Sequence, residues 1–331
     1  MVLIKKRNFK PYILNWLLPK LNVGLSIGNI FYVAPASGAL EANLLDNGVP
    51  SSEIFHSLVT VEDAMRDGYH DVALIANGTY TETTETDWDK SLCHMVGMGP
   101  RRQKSNGENG PLFYTASAIG AVLHLTGNQC QFHNVAFKNA GASASALTAF
   151  KVAGNGTRLI GCEFVGLAAA TQRDTAYASA LEIASGGYYF YAEECLIGST
   201  DVGDAGAVDT NAPLVFSGGM ISDGRFVACN VSAIISATTR PLVYIIGRTA
   251  LDRDWIFDRC VFYAFSADHA YKCAEVVKNS DATPSTYDML FQDCTALNCS
   301  NWRTASNYGM TWAAGGVAAG DSGVAVVTVN G

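Results

Sequence analysis

Between residues 120 and 300 the apolar positions fall into two interleaved series rather than helical stripes. The first runs apolar residue, two variable positions, usually Cys, one variable position, apolar residue. Its copies span 132–137, 159–164, 192–197, 226–231, 257–262 and 291–296. Within them Cys162, Cys195, Cys229, Cys260 and Cys294 follow one another at 33, 34, 31 and 34 residues, and Val135 holds the position 27 residues earlier. The second series is an apolar triplet ahead of each copy, at 123–125, 150–152, 181–183, 214–216, 243–245 and 274–276, often followed by Gly or Asn. Two strand-like segments every 30 residues or so, with Gly/Asn turns and no 3.6-residue period, predict the coils of an all-β parallel solenoid. Stacked coils pile equivalent inward residues into ladders roughly 4.8 Å apart. The cysteines and Phe226, Phe257 and Phe291 are therefore expected as core ladders rather than as reactive groups.

The same alternation assigns outward columns. The triplet series places His124, Lys151, Glu182, Val215, Tyr244 and Glu275 outside. The Cys series places Asn134, Gly161, Glu194, Ala228, Arg259 and Asp293 outside, with Ala136, Glu163, Leu196, Asn230, Val261 and Thr295 two positions further on.

Upstream, Ile30-Phe-Tyr-Val-Ala34 reads as a first strand, and 72–80 (VALIANGTY) and 92–98 (LCHMVGM) as earlier coils. The segment 60–68 (TVEDAMRDG) reads as a short helix with Thr60 as N-cap and Gly68 as its stop. A helix there would cover the open end of the solenoid, whose unpaired edge otherwise templates aggregation. This order of strand, capping helix, VALIANGTYTE and a strand ending GMG resembles the start of pectate-lyase-like right-handed β-helix proteins. The resemblance covers about residues 29–300. It implies a right-handed, single-stranded parallel β-helix with a short capping helix and an extended N-terminal arm. Such a superfold carries many functions. It divides the chain into an arm at 1–28, a β-helix at 29–304 and a Gly/Ala-rich closing segment at 305–331.

Charge sharpens the picture at the N-terminus. The chain is acidic overall, at −8, but residues 1–40 hold five bases and no acid, which leaves −13 on the other 291 residues. Lys5, Lys6, Arg7 and Lys10 alternate there with Phe9, Tyr12, Trp16 and Leu17. The segment begins like a signal peptide, but Pro11, Asn15, Pro19 and Lys20 interrupt its apolar region and no clear cleavage site follows. An anchoring arm for a partner surface is the expectation. No stretch has the 18 or more apolar residues of a membrane span, and the acidic body argues against nucleic acid as the partner. Nine cysteines without CxxC or zinc-finger spacing predict a reduced, buried set in a protein made in a cytosol.

Candidate chemistry is sparse. Enzymes of the resembled superfamily place carboxylates on neighbouring coils, and here Glu163 and Glu194 are the acids that adjacent coils could bring together for a glycosidase-like pair. Asp201, Asp204 and Asp209 form the densest acidic loop and the candidate cation site, although they lack the EF-hand order. Of the six histidines none belongs to a helical metal motif, and no nucleotide or nucleophile-elbow fingerprint is present, so no cofactor is expected. These features predict a structural bacteriophage virion protein made in the host cytoplasm, a capsid decoration (cement) or head-spike protein. Its partners would be other capsid proteins, through the arm, and a host-surface glycan. A homotrimer is expected by analogy with viral β-helices. The alternatives are a tailspike-like polysaccharide lyase or glycoside hydrolase and a surface adhesin.

Overall fold

The computed structural model describes residues 27–302, apart from 37, 100–109, 146, 200–209, 220, 236–239, 248–250, 254, 267–271 and 281–288, together with the backbone of 310–312 and 324–325. The arm residues Lys5, Lys6, Arg7, Phe9, Lys10, Tyr12, Trp16 and Leu17 and the loop acids Asp201, Asp204 and Asp209 lie outside the described residues.

The chain winds into a parallel β-solenoid with three sheets, of eleven, nine and seven strands, and a separate two-stranded pair. Each Cys motif crosses a corner between two of them. Gln131–His133, Arg158–Ile160, Tyr191–Glu193, Gly224–Val227, Trp255–Asp258 and Met289–Gln292 are successive strands of the eleven-stranded sheet, sheet 1. Ala136–Asn139, Glu163–Val165, Leu196–Ser199, Asn230–Ile234, Val261–Phe265 and Thr295–Leu297 belong to the nine-stranded sheet 2. The triplets build sheet 3. Each coil thus has three strands where the pattern showed two segments. The corner is a single residue with positive φ: Asn134, Gly161, Glu194, Ala228, Arg259 and Asp293, all between 50° and 62°. A left-handed residue turns the chain sharply without spending several residues on a loop. It also ends the alternation, so this column is a turn and not a sheet face.

The ladders are as the spacing predicts. Phe226, Phe257 and Phe291 are fully buried and stack nearly parallel, with ring centroids 4.8 and 4.9 Å apart. Phe113, Phe137 and Phe164 make the equivalent stack in sheet 2. All nine cysteines are buried free thiols. The Sγ atoms of Cys162, Cys195, Cys260 and Cys294 donate to the carbonyls of Phe132, Leu159, Phe226 and Phe257, each on the coil before, at 3.3–3.5 Å. The corner thiol thus satisfies a ladder carbonyl beside the turn, which a Val in its place could not do. Burial pushes the thiols of Cys162 and Cys229 well up, and that of Cys130 up to about 12, so they stay protonated and inert.

Two expectations are corrected. The capping helix is Leu58–Ala64 and its N-cap is Ser57, whose Oγ accepts from the Thr60 N–H at 3.3 Å. Buried Glu82 accepts the Leu58 N–H, a second orphan donor of that helix end. A further helix, Ala39–Asp46, precedes it. The triplet at 274–276 does not continue sheet 3. Val277–Asn279 does, in register with Val243–Ile245, so Lys278 rather than Glu275 follows Tyr244 in the outward column. Cys273–Glu275 pairs instead with Cys299–Asn301. At the C-terminal end Met310–Trp312 adds a parallel strand to sheet 1, while Val324–Ala325 pairs antiparallel with Thr295–Leu297 of sheet 2. Among the described strand pairs this is the only antiparallel one. No helix among the described residues is long and apolar enough to cross a membrane.

Candidate functional site

Inward Leu159, Ala192, Phe226, Phe257 and Phe291 force their strand neighbours onto the outer face of sheet 1. The register gives two outward columns. One runs Gln131, Arg158, Tyr191, Arg225, Ile256, Leu290; the other runs His133, Ile160, Glu193, Val227, Asp258, Gln292. The character of this face changes along the solenoid. At its N-terminal end Ile30, Tyr32, Val72, Leu74 and Val96 form an apolar layer packed under Ile27, Ile54, Leu44 and Val49. Further along, Arg158, Tyr191, Glu193, Arg225 and Asp258 stand among half-buried Ile160, Ile256 and Leu290.

Between the two regions lies a histidine group. His94, fully buried and in register with Val72, stacks on His70, with His70 Nδ1 3.0 Å from His94 Nε2. Burial, followed by the neighbouring His70 and His133, holds His94 down to about 3, and burial lowers His70 as well. These imidazoles are neutral and share a hydrogen bond.

In the second region the side chains engage one another across coils. The Arg158 guanidinium lies 5.0 Å over the Tyr191 ring. The Tyr191 hydroxyl donates to Glu193 Oε2 at 3.0 Å. Arg225 Nη2 donates to Asp258 Oδ2 at 2.7 Å, and Arg259 Nε to Asp258 Oδ1 at 3.2 Å. Burial opposes the charge on Asp258, but the two guanidiniums outweigh it and hold the carboxyl below its ordinary range. Arg225 and Arg259 remain about half and three-fifths exposed, so their outer N–H groups face solvent. Glu193 and Asp258 share one column with Val227 between them, which separates equivalent backbone positions by roughly 9.6 Å. The arrangement offers an aromatic face, a cationic fork and two carboxylates along about 15 Å of ladder, one rung being about 4.8 Å.

The expected acids fall elsewhere. Glu163 is in sheet 2, buried, and in register with Ala136 and Leu196. Glu194 is the exposed corner residue of the same turn column as Gly161 and Ala228. They sit on different elements and do not form an in-register pair. The candidate residues that the pattern missed, Arg158, Tyr191, Glu193, Arg225 and Asp258, stand on either side of the inward residue that opens each Cys motif. That offset was the available signal.

The chain is similar in structure to a pectin methylesterase solved in complex with a hexasaccharide. The identity is 12%, with 90% of this chain and 92% of that chain covered and a TM-score of 0.53. The fold is the pectate-lyase-like right-handed parallel β-helix. Pectin methylesterase from Aspergillus niger matches this β-helix at 13% identity over 88% of both chains, with a TM-score of 0.49. The tailspike protein gp49 of Acinetobacter baumannii bacteriophage Fri1, a capsular polysaccharide depolymerase, matches at 11% identity over 86% of this chain and 57% of its own, with a TM-score of 0.40. No protein-family model and no curated protein sequence matches the β-helix described here. At these identities the likeness is one of fold.

Proposed function

We propose that this chain is a β-helical structural protein of a bacteriophage particle and that the second region of the sheet 1 face binds a glycan of the host surface. The observation that carries the reading is the cross-coil band of Arg158, Tyr191, Glu193, Arg225, Asp258 and Arg259. Sugars are held by aromatic faces and by fixed polar groups that hydrogen-bond hydroxyls or carboxylates, and a rigid sheet fixes such groups more firmly than loops do. The virion setting draws support from the basic, apolar segment 1–28, of opposite charge to the body, and from a core of nine free thiols that suits folding in a reducing cytosol. In this reading the arm docks on other capsid proteins, the chain assembles as a homotrimer, and the particle carries it as a decoration or head spike.

The test is binding of the full chain to purified host capsular and cell-wall polysaccharides. Arg225→Ala and Tyr191→Ala should each weaken binding about tenfold or more, the scale of one lost charge-assisted bond. Unchanged binding in both variants would remove the sheet 1 site.

A second reading, a polysaccharide hydrolase, is favoured by Glu193 and Asp258. Their equivalent backbone positions are two rungs, roughly 9.6 Å, apart, the same scale as the carboxyl separation of about 6.5–9.5 Å that an inverting glycosidase needs. Asp258 is held ionised by its two guanidiniums, and Glu193 is the second carboxyl of the column. Release of reducing ends by the wild-type chain, lost in Glu193→Gln and Asp258→Asn, separates this reading from binding alone.

A further inference from the structure

Outside sheet 1, two carboxylates and an imidazole converge on the outer face of sheet 3. Thr86–Trp88 is the terminal strand of that sheet, and Ala121–Leu125 is its neighbour. Asp87 and His124 are register partners across this junction. Glu85, two residues before Asp87, falls on the same outward face, while Thr86 and Trp88 point into the core. His124 Nδ1 lies 3.2 Å from Asp87 Oδ1 and 3.8 Å from Glu85 Oε1. One ligand atom from each of the three residues can be chosen so that all lie within 4.8 Å of one another.

The group is held in place from outside itself. Glu85 Oε2 accepts the backbone N–H of Ala121 at 2.9 Å, which fixes that carboxylate and leaves Oε1 on the His124 side. Gly120 makes this approach possible, since a Cβ there would meet Glu85 Oε2 at 2.8 Å. Lys151, the next residue of the column, has its ammonium 3.4 Å from Glu182 Oε1, on the far side from the triad.

We propose that Glu85, Asp87 and His124 bind a divalent transition-metal ion of the zinc type. One imidazole and two carboxylates match borderline ions rather than calcium, which takes oxygen donors alone. Zinc bonds of about 2.0–2.1 Å in a tetrahedron put donor atoms about 3.3 Å apart, and the two measured separations from His124 bracket that edge. The solvent-open side of the triad leaves the fourth position to water. The bound ion would staple the three-residue edge strand of sheet 3 to the next rung, at the place where the ladder has only one neighbour.

The experiment is calorimetric titration of the untagged, chelator-treated full chain with Zn2+ alone, paired with thermal unfolding. The expected result is one ion per chain and a melting midpoint raised by Zn2+. In His124→Gln and Asp87→Asn the affinity should fall about tenfold or more, since losing a direct ligand costs no less than losing a residue behind one, and His124→Gln should lose the thermal shift. His56→Gln, a change at an exposed histidine near Glu41, should behave as the wild type. Absence of stoichiometric binding, or binding unchanged by His124→Gln, overturns the proposal. Circular dichroism of each variant before titration identifies any that has failed to fold, and Asp87→Asn is the gentler change for that purpose.

Discussion

Lowering the pH should destabilise the solenoid through His94. The imidazole is fully buried beside the apolar layer of sheet 1 and held to about 3, whereas an unfolded chain has a histidine near 6.5. Between those values the unfolded state binds a proton that the native state refuses, so stability falls as pH drops from about 6.5 and levels off near 3. At 1.36 kcal/mol per pH unit, the loss by pH 5 is about 2 kcal/mol and by pH 4 about 3 kcal/mol. His70 and His133 face the same group, and the lowered His70 acts in the same direction. The assay is equilibrium urea unfolding at pH 7 and pH 5 of the wild type and His94→Gln, which keeps a hydrogen-bonding group toward His70. The wild type should lose about 2 kcal/mol more than the variant over that interval. Equal losses in the two proteins would refute the argument.

Other outcomes follow from the ladders and corners. Phe257, stacked between Phe226 and Phe291, should cost about 3–5 kcal/mol when cut to Ala, and Phe257→Asp should prevent folding by burying an unpaired charge; urea midpoints and soluble yield report both. Ala228 holds φ +50° in the corner column, so Ala228→Gly should raise stability by up to about 1 kcal/mol in thermal unfolding, as relief of the left-handed strain exceeds the added chain entropy. An aromatic disulfide reagent should label none of the nine thiols in the native chain and all nine in denaturant, and a fast-reacting native thiol would contradict the buried ladder.

The solenoid was legible because its core repeats the same residue types. Cys and Phe at fixed offsets survive any variation outside. The corner was not, because its requirement is a dihedral angle rather than a side chain. Asn134, Gly161, Glu194, Ala228, Arg259 and Asp293 share only their φ. Counting alternation through that residue moved the outward assignment off the columns of Arg158 and Glu193 and onto the turn. The last triplet failed for a related reason: Ala274–Val276 has the right pattern, but the winding reaches sheet 3 only at Val277. The triad of Glu85, Asp87 and His124 was hidden because Thr86–Trp88 lacks the apolar-x-apolar spelling of the later triplets. Its pairing with Leu123–Leu125 shows only in three dimensions.

The reversed strand Val324–Ala325 bears on how such molecules avoid becoming fibres. A solenoid is a stack of equivalent layers, and each layer exposes the hydrogen-bonding template for the next. Nothing in a purely parallel stack distinguishes the chain's own next coil from the first coil of another molecule, and head-to-tail addition of that kind does not close on itself. A strand laid down in the opposite direction changes the spacing pattern of donors and acceptors offered to a newcomer. At the end of sheet 2 a parallel coil from a second copy would therefore meet a rung of opposite polarity.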